Sequence, residues 1–492
     1  MHKKSAFCSR FYFSFVVYGG LPTHQNYYRN EKGADCKMRE KWQKQMPLVD
    51  PTGSHPQEKE LKAISSIICS TPIIVDRVLQ DLNRGKIICR REGANGMSAD
   101  QVLRAALVMF LFGCTYEELA FHINDSRSLR RFCGIGIADK GFKKSALNKN
   151  IKAIGPDTWD AILRDIVGYA KDQGIEKGRK ARIDCTVVET DIHSPSDAKL
   201  LWDSVRALSR LIQKAKEDTG AAFNFTDHQR RAKRRMVAIQ YAKSKAKRIA
   251  AYKDLLKIAR KVCGYARGSI ETLEKAAATG SCALMRMLEI KQYLTLARQV
   301  TDQAERRVLN GEKVPAADKI VSIFEPHTDI ICKDNRDTYY GHKICLTGGA
   351  SNLILDCKIL EGNPADASLV EQMLDRQKDI YGRYPLKVAF DGGFASKDNL
   401  LKAKGRKIKD VCFAKKRGLS ETDMCRSEYV YKKLRRFRAG IESGISWLKR
   451  SFGLARCNWR GWRSFKSYVL GSVVAANLLT IVRKQMLAAK ST

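Results

Sequence analysis

The sequence lacks every cysteine spacing that would build a disulfide framework or a zinc site. Its 15 cysteines are scattered singly along 492 residues, with no C-x-x-C pair and no Cys/His cluster at zinc-ligand spacing. A chain of this length can bury a sizeable core without covalent or metal cross-links. We therefore interpret the cysteines as buried thiols in a reducing cytoplasm, which argues against a secreted protein.

A long uninterrupted apolar run is also missing. Residues 468–482 are apolar but too short, and too broken by glycine and polar residues, to span a bilayer, so they predict a buried helix and no membrane partner. The first 37 residues begin with basic residues and an aromatic run, but no small-residue cleavage site follows. We interpret residues 1–37 as a non-native or disordered extension translated upstream of a start at Met38.

Acidic residues are scarce relative to basic ones. Lys and Arg number 90 against 52 Asp and Glu, a formal charge of +38. An excess this large indicates a polyanionic partner, with nucleic acid the leading candidate and a merely basic or ribosome-like protein the alternative. The imbalance is steep in residues 226–267, where 14 Lys or Arg accompany only two acids. This block predicts contact with the DNA backbone, although a solvated helix face remains the alternative. The candidate contacts are Lys243, Lys245, Lys247 and Arg248.

Residues 98–135 have the pattern of two short helices joined by a tight turn. Ser98 with Gln101, and Thr115 with Glu118, are capping-box pairs, and Gly113 between them suits a helix C-cap. Helix, turn and helix followed by arginines predicts a helix-turn-helix-like segment within a DNA-binding domain at 38–175. An amphipathic helix pair in any helical domain is the alternative. The candidate DNA contacts here are Arg127, Arg130 and Arg131.

The pattern alternates between strand and helix over the rest of the chain. A β-branched strand at 181–193 is followed by basic helical sequence, and three strands after Pro315 predict an antiparallel meander with turns at 335–337 and 348–349. Helices and strands then alternate to the end. This order predicts an α/β, ribonuclease H-like domain with a mixed sheet, formed by residues 176–199 and 315–485. A basic helical insertion at 200–314 interrupts it. His327 and His342 are expected at strand ends, and Asp366 is expected to cap the following helix.

Three carboxylates stand on three different predicted elements. Asp184 lies inside the first strand, where a charge amid apolar residues is costly unless it has a ligand. Asp391 ends the strand VAFDGGF, and Glu442 lies on a later helix. Phosphodiester chemistry on DNA uses two divalent cations, and hard cations take oxygen ligands. The three acids together therefore predict a site for Mg²⁺ or Mn²⁺, with two ions.

The segment RFRAGIESGISWLKR resembles the C-terminal signature Y-x2-R-x3-E-x6-K of insertion-sequence DDE transposases of the IS-four/IS-five type. Arg438, Glu442 and Lys449 match that spacing, whereas Arg435 stands where the family has Tyr. The segments IDCTVVETDIHSPSD, ILEGNPADASL and FDGGFAS also resemble blocks of this family, particularly of the unclassified ISNCY group. The similarity covers about residues 38–485.

The resemblance implies a role for each matched residue. Asp184, Asp391 and Glu442 would be metal ligands, and Arg438 and Lys449 would face the same site and neutralise DNA phosphate. Pairing of these two basic residues within their own helix is the alternative.

The resemblance also implies an activity and its partners. The enzyme would bind the terminal inverted repeats of an insertion sequence, hydrolyse DNA strands and join the 3′-hydroxyl ends to target DNA. It would act as a homodimer or larger assembly at the bacterial nucleoid in the cytoplasm. Two alternatives remain open: a catalytically inactive DNA-binding derivative, and a related nuclease that cuts without joining.

Overall fold

The computed structural model describes residues 55–85, 96–136, 138–277, 281–333 and 337–491. The predicted extension at 1–37, the start at Met38 and most of the turn at 335–337 lie outside these residues. The α-helices are α1 Pro56–Ser70, α2 Ile73–Asn83, α3 Ala99–Phe112, α4 Tyr116–Asp125, α5 Arg127–Phe132, α6 Lys144–Ile151, α7 Pro156–Asp172, α8 Asp197–Thr219, α9 Gln229–Gln240, α10 Lys245–Ala277, α11 Ser281–Val308, α12 Val370–Tyr381, α13 Lys397–Gly405, α14 Glu421–Met424, α15 Glu428–Ser451 and α16 Trp462–Ser491. The strands are β1 Lys180–Thr190, β2 Asp329–Lys333, β3 Asp337–Gly349, β4 Ile354–Ile359, β5 Lys387–Phe390, β6 Asp410–Phe413 and β7 Arg456–Cys457.

The helix pair α3–α4 forms as its caps predict. The Ser98 hydroxyl accepts from the Gln101 amide and the Gln101 side chain accepts from the Ser98 amide, and the Thr115 and Glu118 pair does the same for α4. Gly113 adopts a left-handed φ of 64°, which ends α3 without the strain a side chain would add. The two helix axes meet at 109°, within the range of about 90–120° typical of helix-turn-helix units.

Helix α16 packs among the N-terminal helices. It contacts α1, α3 and α7, and its buried side chains join theirs and one face of the sheet in a single core. By length and composition α16 could cross a membrane, but 89% of its apolar stretch is buried inside the protein. The buried helix predicted over 468–482 is therefore confirmed.

A mixed sheet lies at the centre of the α/β part of the fold, as predicted. The strand order is β2-β3-β1-β5-β6, with β4 also paired to β3 and β7 to β1. Strand β1 runs antiparallel to β3 and parallel to β5, and β5 runs parallel to β6. Apolar side chains cover both faces, with α12 and α13 contributing to the second core. This arrangement places β1, which carries Asp184, in the middle of the sheet.

The turn predicted at 348–349 is wrong by a few residues. Gly348 and Gly349 end β3, where the pairing with β4 shifts register after Thr347, and the chain reverses around Asn352 with a φ of 67°. The glycines serve close packing instead: a Cβ on Gly349 would lie 2.3 Å from the Glu176 carboxylate. Glycine here therefore marks a close approach and not a reversal of the chain.

Between β1 and β2 the chain forms the four helices α8 to α11. Their apolar faces pack on one another in a core separate from the two that flank the sheet. Helices α8, α10 and α11 contact one another, and α9 packs on α8 and α10. The residues that return from α11 to the sheet form a short 3-10 turn at Ala316–Asp318 and no strand before β2.

The two histidines predicted at strand ends lie instead in a buried network. His342 is in the middle of β3, and His327 precedes β2. Hydrogen-bond distances of 2.8, 2.7 and 2.8 Å link Glu325, His327, His342 and Asp329 in that order. Glu325 also accepts from the Gly461 amide at 2.9 Å. The network therefore ties the segment returning from α11 to β3 and to the start of α16, a long-range arrangement that local sequence pattern does not encode.

Candidate active site

The sheet brings Asp184 and Asp391 to the same level. In the parallel pair β1–β5 the last matched residues are Ile183 and Phe390, so each aspartate is the next residue along its strand. Adjacent parallel strands are about 4.8 Å apart, which places the two side chains within reach of one another. The Asp184 carboxylate also accepts from the Cys185 amide through Oδ1 at 2.8 Å.

Helix α15 presents the third carboxylate and both basic residues of the predicted signature. Ser427 caps its N-terminus, and its apolar stripe of Tyr431, Leu434, Ile441 and Leu448 is buried against the sheet. Since residues three, four and seven apart share a helix face, Glu442 lies one turn after Arg438 and two turns before Lys449. Arg438, Glu442 and Lys449 therefore form one row on α15, next to its buried apolar stripe.

The side chain of Arg438 contacts all three acids. Its Nη2 lies 3.1 Å from Asp184 Oδ2 and 2.8 Å from Asp391 Oδ1, and its Nη1 lies 2.7 Å from Glu442 Oε1. The Arg438 side chain is 15% exposed, against 13% for Asp184, 37% for Asp391 and 59% for Glu442. The three carboxylates thus converge on one guanidinium group in a half-open site.

A cleft of about 630 Å³ surrounds this cluster and is rich in basic side chains. Lys449 lines it, as do Lys343, Lys415 and Arg417. A site with three acids would otherwise repel a polyanion, so the surrounding cations let phosphate approach the carboxylates.

The three carboxylates are suitable ligands for a divalent cation, although they are not spaced as they would be around a bound ion. Among the described residues no group of three or more His, Cys, Asp or Glu side chains is spaced to hold a metal ion. However, Asp184 Oδ2 and Asp391 Oδ1 approach the same nitrogen, so they lie within about 6 Å of each other, a gap that a metal pair about 4 Å apart can bridge. All three donors are carboxylate oxygens, the ligands that Mg²⁺ and Mn²⁺ prefer.

The thiol nearest the acids is not a competing ligand. Cys185 lines the cleft beside Asp184. Its hydrogen bond with Cys345 and then its burial raise the pKa of the Cys185 thiol well above the ordinary value. The thiolate is the form that binds metals, so the hydrogen bond with Cys345 and the burial both disfavour Cys185 as a ligand.

Asp366 is a fourth acid in the cleft, and its predicted role as a helix cap is wrong. The structure gives it no capping hydrogen bond; it pairs with Lys343 Nζ at 3.0 Å. A Cβ on Gly393 would lie 2.7 Å from its Oδ2, and a Cβ on Gly392 would lie 2.7 Å from the Lys415 side chain. The two glycines after Asp391 therefore leave room for the side chains of Asp366 and Lys415 beside the site. The glycine pair was the sequence signal for this close packing.

Arg182 is a buried support for the site that sequence reasoning missed. Its guanidinium donates to the Phe437 carbonyl at 3.0 Å and to Asn352 Oδ1 at 2.7 Å, and it stacks on the Phe437 ring at 4.9 Å. A Cβ on Gly440 would lie 2.0 Å from its Nη1. In the sequence, Gly440 in α15 and an arginine two residues before Asp184 were the signals that could have indicated this contact. Arg182 thereby fixes α15 against β1 beside the turn that carries Arg438.

The predicted DNA-contacting residues do not line this cleft. Arg127 is exposed, whereas Arg130 donates to the carbonyls of Gly136 and Asp139 at 2.7 and 2.9 Å and Arg131 pairs with Glu58 at 2.8 Å. The four basic residues predicted to contact the DNA backbone are all exposed, in the turn before α10 and in its first turn. They are Lys243, Lys245, Lys247 and Arg248.

Comparison with known proteins matches two parts of the chain to transposase families. Residues 326–478 match the family described as Transposase DDE domain, and residues 52–153 match the family described as Transposase domain (DUF772). The first match includes Asp391, Glu442, Arg438 and Lys449 and begins after Asp184. No curated protein and no solved structure matches the chain. The two matches support the DDE transposase family. They do not distinguish a subgroup within it.

Proposed function

We propose that this chain, which carries both transposase domains, is a metal-dependent transposase that cuts the ends of an insertion sequence and joins their 3′-hydroxyls to target DNA. The observation that carries the proposal is the convergence of Asp184, Asp391 and Glu442 on one guanidinium in a basic cleft. The strand order, with β1 antiparallel to β3 and parallel to β5, supports a ribonuclease H-like domain as its framework. The motif in α15 supports a member of the IS-four/IS-five type, close to the ISNCY group.

The three acids and the two basic residues of the motif each have a role in this proposal. Asp184, Asp391 and Glu442 are the metal ligands, and two bound Mg²⁺ or Mn²⁺ ions would activate the attacking oxygen and stabilise the leaving oxygen. Lys449 and Arg438 hold the scissile phosphate and offset its charge. The hydrogen bond from the Cys185 amide orients the Asp184 carboxylate before substrate arrives.

Two exposed basic regions are proposed to bind the rest of the DNA. Arg127 with the helix pair α3–α4 would contact the terminal inverted repeat, and the four basic residues that precede and begin α10 would hold the backbone of a longer duplex. The internal partners of Arg130 and Arg131 favour a structural contribution from those two. Because two element ends must be held together for joining, we propose that a homodimer or larger assembly acts on DNA at the nucleoid.

The test is to change Glu442 to Gln, which removes one anionic ligand while keeping side-chain size and helix propensity nearly constant. Folding and duplex binding should survive, while cleavage of a linear duplex carrying the element's own ends, in Mg²⁺ or Mn²⁺, should fall by a factor of at least about 10² because metal positioning is lost. Glu428→Gln is the matched control, since Glu428 is an exposed acid of the same helix that pairs with Lys432.

The outcomes separate the three functions. Joining of a labelled 3′-hydroxyl end to a second duplex by wild type supports the transposase, whereas cutting without joined product favours the nuclease. If wild type binds the ends yet cuts them no more than Glu442→Gln does, across a range of metal concentrations, the inactive DNA-binding derivative is the better account.

A further inference from the structure

The position that a cation would take among the three acids is held by a side chain of the protein. Arg438 makes ion pairs of 2.7 to 3.1 Å with Asp184, Asp391 and Glu442. Guanidinium is always charged and presents five donors in a fixed fork, so one such group can neutralise several carboxylates at once. Without it, like charges on three neighbouring elements would repel one another.

We propose that Arg438 is a displaceable internal counter-ion, which holds the three acids in place before metal binds and moves to DNA phosphate when metal replaces it. This inference rests on the proposed function, because it takes the same acids as the metal ligands. It assigns Arg438 a positioning role in the metal-free protein, in addition to the phosphate contact that the motif implies.

Direct competition follows from the contact distances. A bound Mg²⁺ lies about 2.1 Å from its carboxylate oxygens, whereas the Arg438 nitrogens already lie 2.7 to 3.1 Å from one oxygen of each acid. A divalent cation held by Asp184 and Asp391 would therefore meet the Arg438 guanidinium, a like charge. Metal and guanidinium compete for the same three oxygens, so a metal that takes them displaces the side chain.

The side chain can leave without movement of its helix. The backbone of α15 is fixed next to Arg438 by the Arg182 hydrogen bond to the Phe437 carbonyl and by the buried Ile441. Arg438 Nε is buried without a hydrogen-bond partner in the structure, so the present position leaves one donor unsatisfied. A phosphate in the cleft, beside Lys449 and Lys415, would accept from a guanidinium that has swung away from the acids.

Coupling between metal and DNA is the functional consequence. Metal binding releases a cation for phosphate, and phosphate holds that cation away from the metal ligands, so each should favour the other by the same factor. Without DNA, the protein would then have low affinity for metal, and DNA binding would raise that affinity.

The first test measures Mn²⁺ binding to the full chain without DNA, by titration calorimetry or by electron paramagnetic resonance. Arg438→Gln removes the competing charge and should bind Mn²⁺ between about 5-fold and 150-fold more tightly than wild type, the range of typical site-to-site couplings. Arg438→Lys keeps a charge at this position and should remain closer to wild type. Lys449→Gln removes the same charge from the same cleft and helix and controls for a general electrostatic effect. Equal or weaker Mn²⁺ binding by Arg438→Gln, or an equal gain in Lys449→Gln, would overturn the proposal.

The second test measures DNA binding with and without Mn²⁺, on a duplex of arbitrary sequence. In wild type, Mn²⁺ should raise affinity and steepen the salt dependence by up to about 0.9, as expected for one added phosphate contact. Arg438→Gln should lose this increment, which is taken for each protein as the difference between its own binding with and without Mn²⁺. An undiminished increment in the variant would contradict the exchange.

Failure of this inference is distinguishable from failure of the proposed function. Asp184→Asn and Glu442→Gln should each weaken Mn²⁺ binding if the acids are the ligands. Unchanged Mn²⁺ binding in both would refute the metal site itself and the inference with it. Weakened binding in both, together with no gain in Arg438→Gln, would leave the metal site standing and remove only the counter-ion role.

Discussion

Asp184 and Asp391 stand at the same level of two adjacent parallel strands, one residue beyond the paired Ile183 and Phe390. They are separated in sequence by more than two hundred residues, including helices α8 to α11. The parallel register fixes their separation, so neither needs a flexible loop to reach the shared guanidinium of Arg438. With two acids on strands and the third on a packed helix, the proposed metal site would be held more precisely than one on loops.

We predict that Gly440→Ala destabilises the protein although alanine is the better helix former. The new Cβ would lie 2.0 Å from Arg182 Nη1, and Arg182 cannot withdraw without losing its part-buried hydrogen bonds to Phe437 and Asn352. Loss of a buried hydrogen bond of a charged group costs about 1.5–3 kcal/mol, which exceeds the gain of about 1 kcal/mol in helix propensity. Urea unfolding should show a net decrease in the free energy of unfolding.

Gly444→Ala is the matched control on the same helix. Nothing lies within 4 Å of a Cβ at Gly444, so only the helix propensity acts and the free energy of unfolding should rise by about 0.5–1 kcal/mol. Opposite signs for the two substitutions are the expected result. If Gly440→Ala is as stable as Gly444→Ala, Arg182 is not held in the position described.

Neutralising the exposed basic residues at the start of α10 should weaken DNA binding irrespective of sequence. The variant changes Lys243, Lys245, Lys247 and Arg248 to Gln, all of them exposed. The salt slope of binding should fall by up to about 0.9 for each phosphate that the variant no longer neutralises. Binding is measured on an arbitrary duplex from about 50 to 200 mM salt.

The control for that variant uses basic residues of α9 whose charge is already matched. Arg231 and Arg235 pair with Asp254 at 2.6 and 2.5 Å. Changing these two to Gln should alter the salt slope less per residue than the four-residue variant does. An unchanged slope in the four-residue variant would show that this surface does not contact DNA.

Asp410 should make folding stability depend on pH in the acid range. Burial acts to raise the pKa of Asp410, but hydrogen bonds from the Arg426 amide and the Lys387 side chain outweigh it, so its pKa lies below the ordinary value. A carboxyl whose pKa is lowered by folding stabilises the protein above its unfolded pKa of about 3.9, and this contribution is lost as pH falls through the folded pKa.

The measurement compares wild type with Asp410→Asn by urea unfolding between pH 7 and pH 3. The variant should be less stable at pH 7, and the difference should shrink below about pH 4 as wild type loses its ion pairs. Asp398→Asn, at an exposed acid of α13, serves as the control. A difference between wild type and Asp410→Asn that stays constant with pH would contradict this account.

Local features were predictable because their causes lie within a few residues. Capping pairs at Ser98 and Thr115, the left-handed Gly113 and the helix spacing of Arg438 and Glu442 depend on neighbouring residues and regular helix geometry. The mixed sheet was inferred from the order of strands and helices. The glycines at 348–349 led to a wrongly placed turn, because glycine occurs both in turns and where two segments pack closely.

The sequence by itself determined which residues could do the chemistry: acids in strand, strand end and helix, and a basic chain around them. Tertiary structure decided how they meet, since pairing β1 with β3 and β5 spans helices α8 to α11 and depends on a core that no local pattern specifies. It placed Arg438 among the acids, Arg182 beneath α15 and Asp366 beside Gly393. Side-chain direction and burial set these contacts, and both arise only when distant elements pack.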